Sequence, residues 1–366
     1  MNDQPIETAR RPFVLIWELT RACELACKHC RADAKPHRHP DELSTSDGKQ
    51  LLEDARAFGD GQLIVLSGGD PLARDDTVEL VEYGTDIGLR MTMTPSGTTS
   101  LTRERIRTLA DAGLRRMALS IDGGSASAHD EFRQERGSFE QTIHAAEETR
   151  RAGLPLQINT TVCAETVDEL PAIREIVADL DAVLWSVFFL VPVGRGRVLD
   201  PISPDHAERV MEWLADVSKI ARFDVKTTEA PHYRRVAIER HRSSETAERS
   251  PPDGIGRRTG ITAGNGFAFV SHTGDVYPSG FLPAVAGSVR EESIVDIYRD
   301  SERFRSLREP DALRGKCGAC EYRHVCGGSR SRAFAYTGDP LESDPLCPYV
   351  PTAYDGPLPD QSCKPR

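Results

Sequence analysis

Six apolar runs separated by polar segments of helical spacing constrain the first half of this chain more than any other feature. They read "FVLIWEL" (13–19), "QLIVLS" (62–67), "LRMTMT" (89–94), "RRMALSI" (115–121), "LPLQINTTV" (154–162) and "AVLWSVFFLV" (182–191). Each is apolar nearly throughout, the pattern of strands buried on both faces of a parallel sheet. Helices are predicted between them. One opens at "STSD", where Ser44 and Asp47 resemble a capping box with Asp in place of Glu or Gln. Others are expected over 75–87, 102–112, 138–152 and 167–180, two of them stopped by Gly113 and Gly153. Repeated strand–helix units mean parallel strands covered by helices. Six units fall short of the eight of a closed barrel, so the predicted fold is α/β, a partial (β/α)6 TIM-like barrel. Chemistry in such folds sits where strands end, on the loops leading into helices.

The pattern changes after Val191. A helix is expected over 203–220, a short strand at "FDVKTTE" and a polar helix at "HYRRVAIERHRSSETAER". The Gly/Pro-rich stretch 250–266 reads as a linker or ordered loop. A hairpin is expected in "FAFVSHTGDVYPSG", turning at 273–275, before a loop-rich, cysteine-bearing module that ends near 351. A net charge of -11 argues against a nucleic-acid binder that relies on bulk electrostatics. No apolar run approaches membrane-spanning length and no export signal is visible.

The cysteines carry the chemistry. Nine in 366 residues do not make a disulfide scaffold, but seven of them cluster: Cys23, Cys27 and Cys30 in "CELACKHC", and Cys317, Cys320, Cys326 and Cys347 late in the chain. Close clusters without an export signal read as metal sites in a reducing compartment, hence cytoplasmic. The first follows strand one and lies at the mouth of the barrel. Three thiolates can ligate three irons of a 4Fe–4S cluster and leave the fourth open; a zinc site completed by His29 or His37 is the alternative. The late four thiolates close a site, either on a 4Fe–4S cluster or on zinc. Cys163 reads as a small buried apolar residue and Cys363 as a bystander.

The Cys-x3-Cys-x2-Cys spacing directly after strand one resembles that of the radical S-adenosylmethionine (SAM) enzymes. That resemblance implies a cluster whose open iron binds the methionine end of SAM, and cleavage of SAM to methionine and a 5′-deoxyadenosyl radical. Further residues match at successive strand ends. "SGGDP" resembles the family's Gly-Gly-Glu motif, placing Gly68, Gly69 and Asp70 at the SAM amino group; "TPSG" ends strand three. Ser120 and Asp122 after strand four, with Asn159 in strand five, fall where the family contacts SAM, and Val191 opens the segment that holds adenine. The late cysteines resemble the SPASM module or its shortened Twitch form. Ser279 stands where the full pattern often has cysteine, so one auxiliary 4Fe–4S cluster is implied.

Within that group, "CKHC", "GGDP" and "CGGSRSRAFAYTGDPLESDPLCPY" are most similar to the haem-biosynthesis branch, whose members remove acetate or propionate side chains or decarboxylate iron-coproporphyrin III. The resemblance implies a carboxylated tetrapyrrole substrate and a low-potential electron donor such as ferredoxin or flavodoxin. Arg195, Arg197, Arg234 and Arg235 are the candidate substrate cations, with His232 and His272 as further contacts; solvated surface arginines are the plain alternative. A peptide maturase of the quinone-cofactor or mycofactocin kind is the rival enzyme. Its usual N-terminal peptide-gripping domain has no room before a strand that starts near Phe13. An iron–sulfur scaffold or electron carrier is the non-enzymatic rival. The expected division is a barrel over 1–200, a connecting region 201–260, an auxiliary-cluster module 261–351 and a tail 352–366.

Overall fold

The computed structural model describes residues 7–242 and 261–359. The end of the expected polar helix, most of the Gly/Pro-rich stretch and Cys363 lie outside the described residues.

Strand and helix alternate as the apolar runs require: β1 (Val14–Thr20), α1 (Thr45–Arg56), β2 (Leu63–Gly68), α2 (Thr77–Asp86), β3 (Arg90–Met93), α3 (Arg103–Asp111) and β4 (Arg116–Ser120). Two helices follow, α4 (Ala126–Arg133) and α5 (Ser138–Arg151), then β5 (Leu156–Val162), α6 (Leu170–Asp179) and β6 (Leu184–Phe189). The capping box at Ser44 forms: its Oγ accepts from Asp47 N, while the Asp47 carboxylate accepts from Ser44 N. Gly113 and Gly153 come two residues after α3 and α5. Helix α4 has no counterpart among the sequence expectations. Its sequence "ASAHDEFR" lacks an apolar run, and only His129, Phe132 and Arg133 are buried.

The remaining elements are α7 (Pro204–Ile220), β7 (Asp224–Thr228), α8 (Tyr233–Arg242), β8 (Phe267–Val270), β9 (Asp275–Tyr277), β10 (Gly287–Ser288), α9 (Ile294–Asp300), α10 (Glu302–Ser306), α11 (Gly315–Ala319) and α12 (Arg330–Thr337). The strands form one sheet in the order β10-β9-β8-β1-β2-β3-β4-β5-β6-β7. β1 to β7 are parallel in chain order, and β8 pairs parallel to the free side of β1, Val14 opposite Phe267. An open barrel exposes two strand edges, each a row of unpaired backbone groups. Here β7 covers one and the expected hairpin, β8 with β9, covers the other. The late segment therefore completes the sheet that the first half begins.

The core fills the space between sheet and helices. Leu15, Trp17, Leu66, Met91, Met117, Ile158 and Trp185 are fully buried there, with Trp185 Nε1 donating to Thr160 Oγ1 at 3.0 Å. Alternate residues point the other way, into the barrel. In that set Ser120, Asn159, Ser186 and Lys226 occupy one register row across β4 to β7. No helix among the described residues is long and apolar enough to cross a membrane.

Candidate metal centres

The loop leaving β1 carries Cys23, Cys27 and Cys30, and its backbone is held at several points. Cys23 N donates to Lys35 O and Lys35 N to Arg21 O, which closes the neck of the loop. From across the barrel, Arg195 N donates to Cys30 O at 3.0 Å, Arg195 Nε to Cys27 O at 2.9 Å and Arg195 Nη1 to Ala34 O at 2.9 Å. Arg195 therefore grips the cysteine loop and is not a free clamp for a substrate carboxylate. Arg197, two residues on, is exposed.

Each sulfur meets a polar partner. Leu25 N donates to Cys23 Sγ and Ala34 N to Cys30 Sγ, both at 3.4 Å. Arg133 Nη1 donates to Cys27 Sγ at 3.4 Å, and Cys23 Sγ stands 3.4 Å from Ser96 Oγ. Burial pushes the Cys23 thiol up, only partly offset by Ser96, so a thiolate there calls for a cation. Among the described residues no three His, Cys, Asp or Glu side chains are placed to share a single metal ion. His29, the expected alternative ligand, stacks on Phe132 with ring centroids 4.9 Å apart. Soft sulfur donors on one loop, with N–H groups aimed at them, suit an iron–sulfur cluster better than one zinc ion.

The end of β2 abuts the root of this loop. Gly69 N donates to Thr20 O and Asp70 N to Ala22 O. A Cβ on Gly68 (φ +139) would lie 2.1 Å from Thr20 O, and one on Gly69 2.3 Å from Ala22 O. Only glycine permits that approach. Ser96 Oγ donates to Gly69 O at 2.6 Å. The Asp70 carboxylate is buried and accepts from Leu72 N, Thr98 Oγ1 and Ser100 Oγ, so it ties β2 to the segment after β3.

Asp122, 1% exposed, accepts from Thr161 N at 2.7 Å and stands 3.0 Å from Arg133 Nε and 3.9 Å from His29 Nε2. Burial would raise its carboxyl, but Arg133 and the neighbouring histidines hold it below the usual carboxylate range. Its backbone N–H donates to His129 Nδ1 at 3.2 Å. Burial pushes both His29 and His129 down to about 4, with Arg133 adding to the effect in each. Ser120 and Asn159 face each other in register, and Gln157 Nε2 donates to Asn159 Oδ1. Val191 is buried against Ala335 of α12, with Phe281 and Tyr336 alongside.

The four late cysteines line one cavity that opens to solvent. Gly328 N donates to Cys326 Sγ and Asp344 N to Cys317 Sγ, both at 3.4 Å, and Arg330 Nη2 to Cys317 Sγ at 3.5 Å. Burial pushes the Cys326 thiol well up and the Cys347 thiol to about 12. This donor set likewise fits an iron–sulfur cluster held by Cys317, Cys320, Cys326 and Cys347.

Arg235, expected at the substrate, lines this cavity instead and is paired with Glu208 at 2.5 Å and Glu239 at 2.7 Å. Arg234 is half-buried at the start of α8. His232 is fully buried, its Nδ1 3.9 Å from the Asp344 carboxylate, and His272 pairs with Glu18 at 2.8 Å. Residues that the sequence expectations miss are Arg133, Arg31, Glu229, Lys316 and Arg330. Arg31 follows Cys30 and joins Glu18 (2.8 Å) to the Phe269 ring (4.5 Å).

A parallel partial barrel with three thiols on the loop after its first strand, and four more around one cavity of the late segment, fits an iron–sulfur protein with two centres. Comparison with known proteins agrees. Residues 17–177 match the Radical SAM superfamily model and residues 262–321 the SPASM iron–sulfur cluster-binding domain. An AdoMet-dependent heme synthase from Methanosarcina barkeri is 41% identical over 347 residues, 94% of this chain and 99% of that one. A PqqA peptide cyclase from Bradyrhizobium diazoefficiens is 30% identical, over 94% of this chain and 88% of that one. Among solved structures, SuiB of Streptococcus suis bound to its precursor peptide superposes with a TM-score of 0.71 at 17% identity, covering 93% of this chain and 76% of that one. The chain belongs to the radical SAM superfamily, in the group that carries a SPASM domain. A 4Fe–4S cluster, SAM and auxiliary iron–sulfur therefore belong to its chemistry, and the first two, when bound, would supply a 5′-deoxyadenosyl radical that takes hydrogen from substrate.

Proposed function

We propose that this enzyme oxidatively decarboxylates the two propionates of iron-coproporphyrin III that become the vinyl groups of haem. One observation carries the reading: 41% identity to an AdoMet-dependent heme synthase across 94% of this chain, against 30% to a peptide cyclase. Hydrogen leaves the propionate β-carbon for the deoxyadenosyl radical, the carboxylate departs as CO2, and one electron goes to an acceptor. The atoms balance, and the electron released matches the one used to cleave SAM.

In this reading Cys23, Cys27 and Cys30 hold the open cluster, and Gly68, Gly69 and the Asp70 backbone shape the SAM amino site. Ser120 and Asn159 line the SAM side of the lumen, and Val191 backs the adenine. Asp122 acts through Arg133, because its carboxylate is already engaged by Arg133 and Thr161 N. The substrate carboxylates are assigned to Arg197, exposed on the loop after β6, with Arg234 at the start of α8 and Lys226 in the lumen row with Ser186 as further contacts. Cys317, Cys320, Cys326 and Cys347 hold one auxiliary cluster. A low-potential ferredoxin or flavodoxin supplies the electron, and the setting is cytoplasmic. The division proposed is barrel 1–200, connection 201–260, auxiliary module 261–351 and tail 352–366, with β7 and β8 lent to the barrel sheet from beyond residue 200.

The test is anaerobic reconstitution with iron and sulfide, then incubation with dithionite, SAM and iron-coproporphyrin III. Formation of 5′-deoxyadenosine together with loss of two carboxyl groups from the porphyrin, read by mass, is the expected result. Deoxyadenosine with an unchanged porphyrin would reject this substrate and turn attention to other tetrapyrroles and to peptides.

A further inference from the structure

The cationic side chains around the two cysteine sites differ in one respect. At the first site Arg133 donates to Cys27 Sγ but is paired with the buried Asp122, and Arg195, which donates to Cys27 O, stands 3.6 Å from the Asp33 carboxylate. At the second, Arg235 is paired with Glu208 and Glu239, and Arg323 with Asp311. Lys316 and Arg330 are the exceptions. Lys316 is 4% exposed, lines the four-cysteine cavity, and its Nζ donates to the carbonyl oxygen of Cys347. Arg330 is 2% exposed and donates to the carbonyl oxygens of Gly328, Pro340 and Glu342 and to Cys317 Sγ. Among the described residues neither forms an ion pair with a carboxylate.

Two buried cations with no carboxylate in ion-pair contact are costly unless an anion balances them. A 4Fe–4S centre on four thiolates is such an anion, and one-electron reduction adds one more negative charge to it. Fixed cations at a buried site favour the more negative state, and net charge with hydrogen bonds to sulfur is what sets the potential of such centres. The cations at the first site, Arg133 and Arg195, are offset by Asp122 and Asp33, so the same bias is weaker there.

We propose that Lys316 and Arg330 act as positioning residues that raise the reduction potential of the auxiliary iron–sulfur centre above that of the SAM-binding one. Each stabilises the reduced auxiliary centre through its charge, whatever substrate the barrel takes. The arrangement directs an electron released in the barrel towards the late cysteines.

The test is a potentiometric titration of the full, anaerobically reconstituted enzyme, followed by electron paramagnetic resonance. Addition of SAM changes the signal of the first centre alone and so assigns the two. The auxiliary potential is expected above the other in the unaltered chain. Lys316→Met and Arg330→Met should each lower it by a tenfold change in the reduction equilibrium, about 59 mV for one electron. Lys316→Arg and Arg330→Lys should leave it near the original value. An unchanged potential in the methionine variants, or an equal fall in the charge-preserving ones, overturns the proposal. Where a methionine variant does not retain its late irons, the charge-preserving variant decides. Irons kept at the original potential support a charge role, whereas their loss there too means that shape alone is required.

Discussion

Arg195 Nε, on the loop after β6, donates to the carbonyl oxygen of Cys27 at 2.9 Å, although the two residues lie 168 positions apart. Together with its bond to Ala34 O, this fixes the spacing of three thiols from the far side of the barrel. Arg195→Ala removes two charge-assisted bonds, worth about 1.5–3 kcal/mol each before relaxation. The expected outcome is a first site that loses iron while the late site keeps it. Iron counts and the SAM-responsive resonance signal check this, and a variant with full iron at both sites would show that the grip is dispensable. Arg195→Lys cannot reach both carbonyl oxygens with the same fork and should fall between the two.

Asp122 and Arg133 form a buried ion pair beneath Cys27. Removing one partner of such a pair costs about 3–5 kcal/mol, because the other charge is left buried. Asp122→Ala should therefore lower the urea midpoint sharply, and Asp122→Ala combined with Arg133→Met should recover part of the loss. A double variant no more stable than the single would mean that the arginine finds another anion.

The barrel was legible because its strands are buried on both faces and so appear as unbroken apolar runs, and because glycine or serine marks the helix ends. Helix α4 was not, since "ASAHDEFR" buries three residues for chemical reasons and offers no apolar stripe. The two cysteine clusters were legible from spacing alone, and the structure gathers the late four around one cavity. The arginines were not: nothing in "VPVGRGR" distinguishes a guanidinium aimed at a substrate from one aimed at the backbone of residues far earlier in the chain. Likewise, "APHYRR" does not reveal that Arg235 faces a cavity built by residues beyond 315. Long-range partners decide the role of a long, flexible side chain, and spacing does not encode them.

Stability should depend on pH through His129. Burial first, and Arg133 next, bring its folded pKa to about 4, below the unfolded value near 6.5. A depressed folded pKa means that the unfolded chain binds the proton first, so stability is fully present above 6.5 and is lost as pH falls towards 4. Protonation would also break the bond from Asp122 N to His129 Nδ1. The urea midpoint of the protein should drop between pH 7 and pH 5, and His129→Gln should make that decline shallower. An identical slope in the variant would assign the dependence to other groups.

Glu229 links the last barrel strand to the late module. It follows β7 with a left-handed φ of 56, a conformation costly for a residue with a side chain. Its carboxylate accepts from Ser279 Oγ at 3.1 Å, Ser329 Oγ at 2.5 Å and Ser331 Oγ at 2.9 Å, while its carbonyl oxygen accepts from Arg332 Nη2 at 2.8 Å. One residue thus joins β7 to the hairpin and to the start of α12, where Arg330 donates to Cys317 Sγ. Glu229→Ala leaves three serine hydroxyls short of an acceptor, a loss of about 1–3 kcal/mol for each that stays buried. Faster amide exchange in α12 and on the β9 side of the hairpin is the expected result, with β3 and β4 unaffected. Glu229→Gln keeps an acceptor oxygen and should restore much of the protection. Uniform exchange in the wild type and in Glu229→Ala would show that the sheet pairing of β8 with β1 holds the late module without this residue.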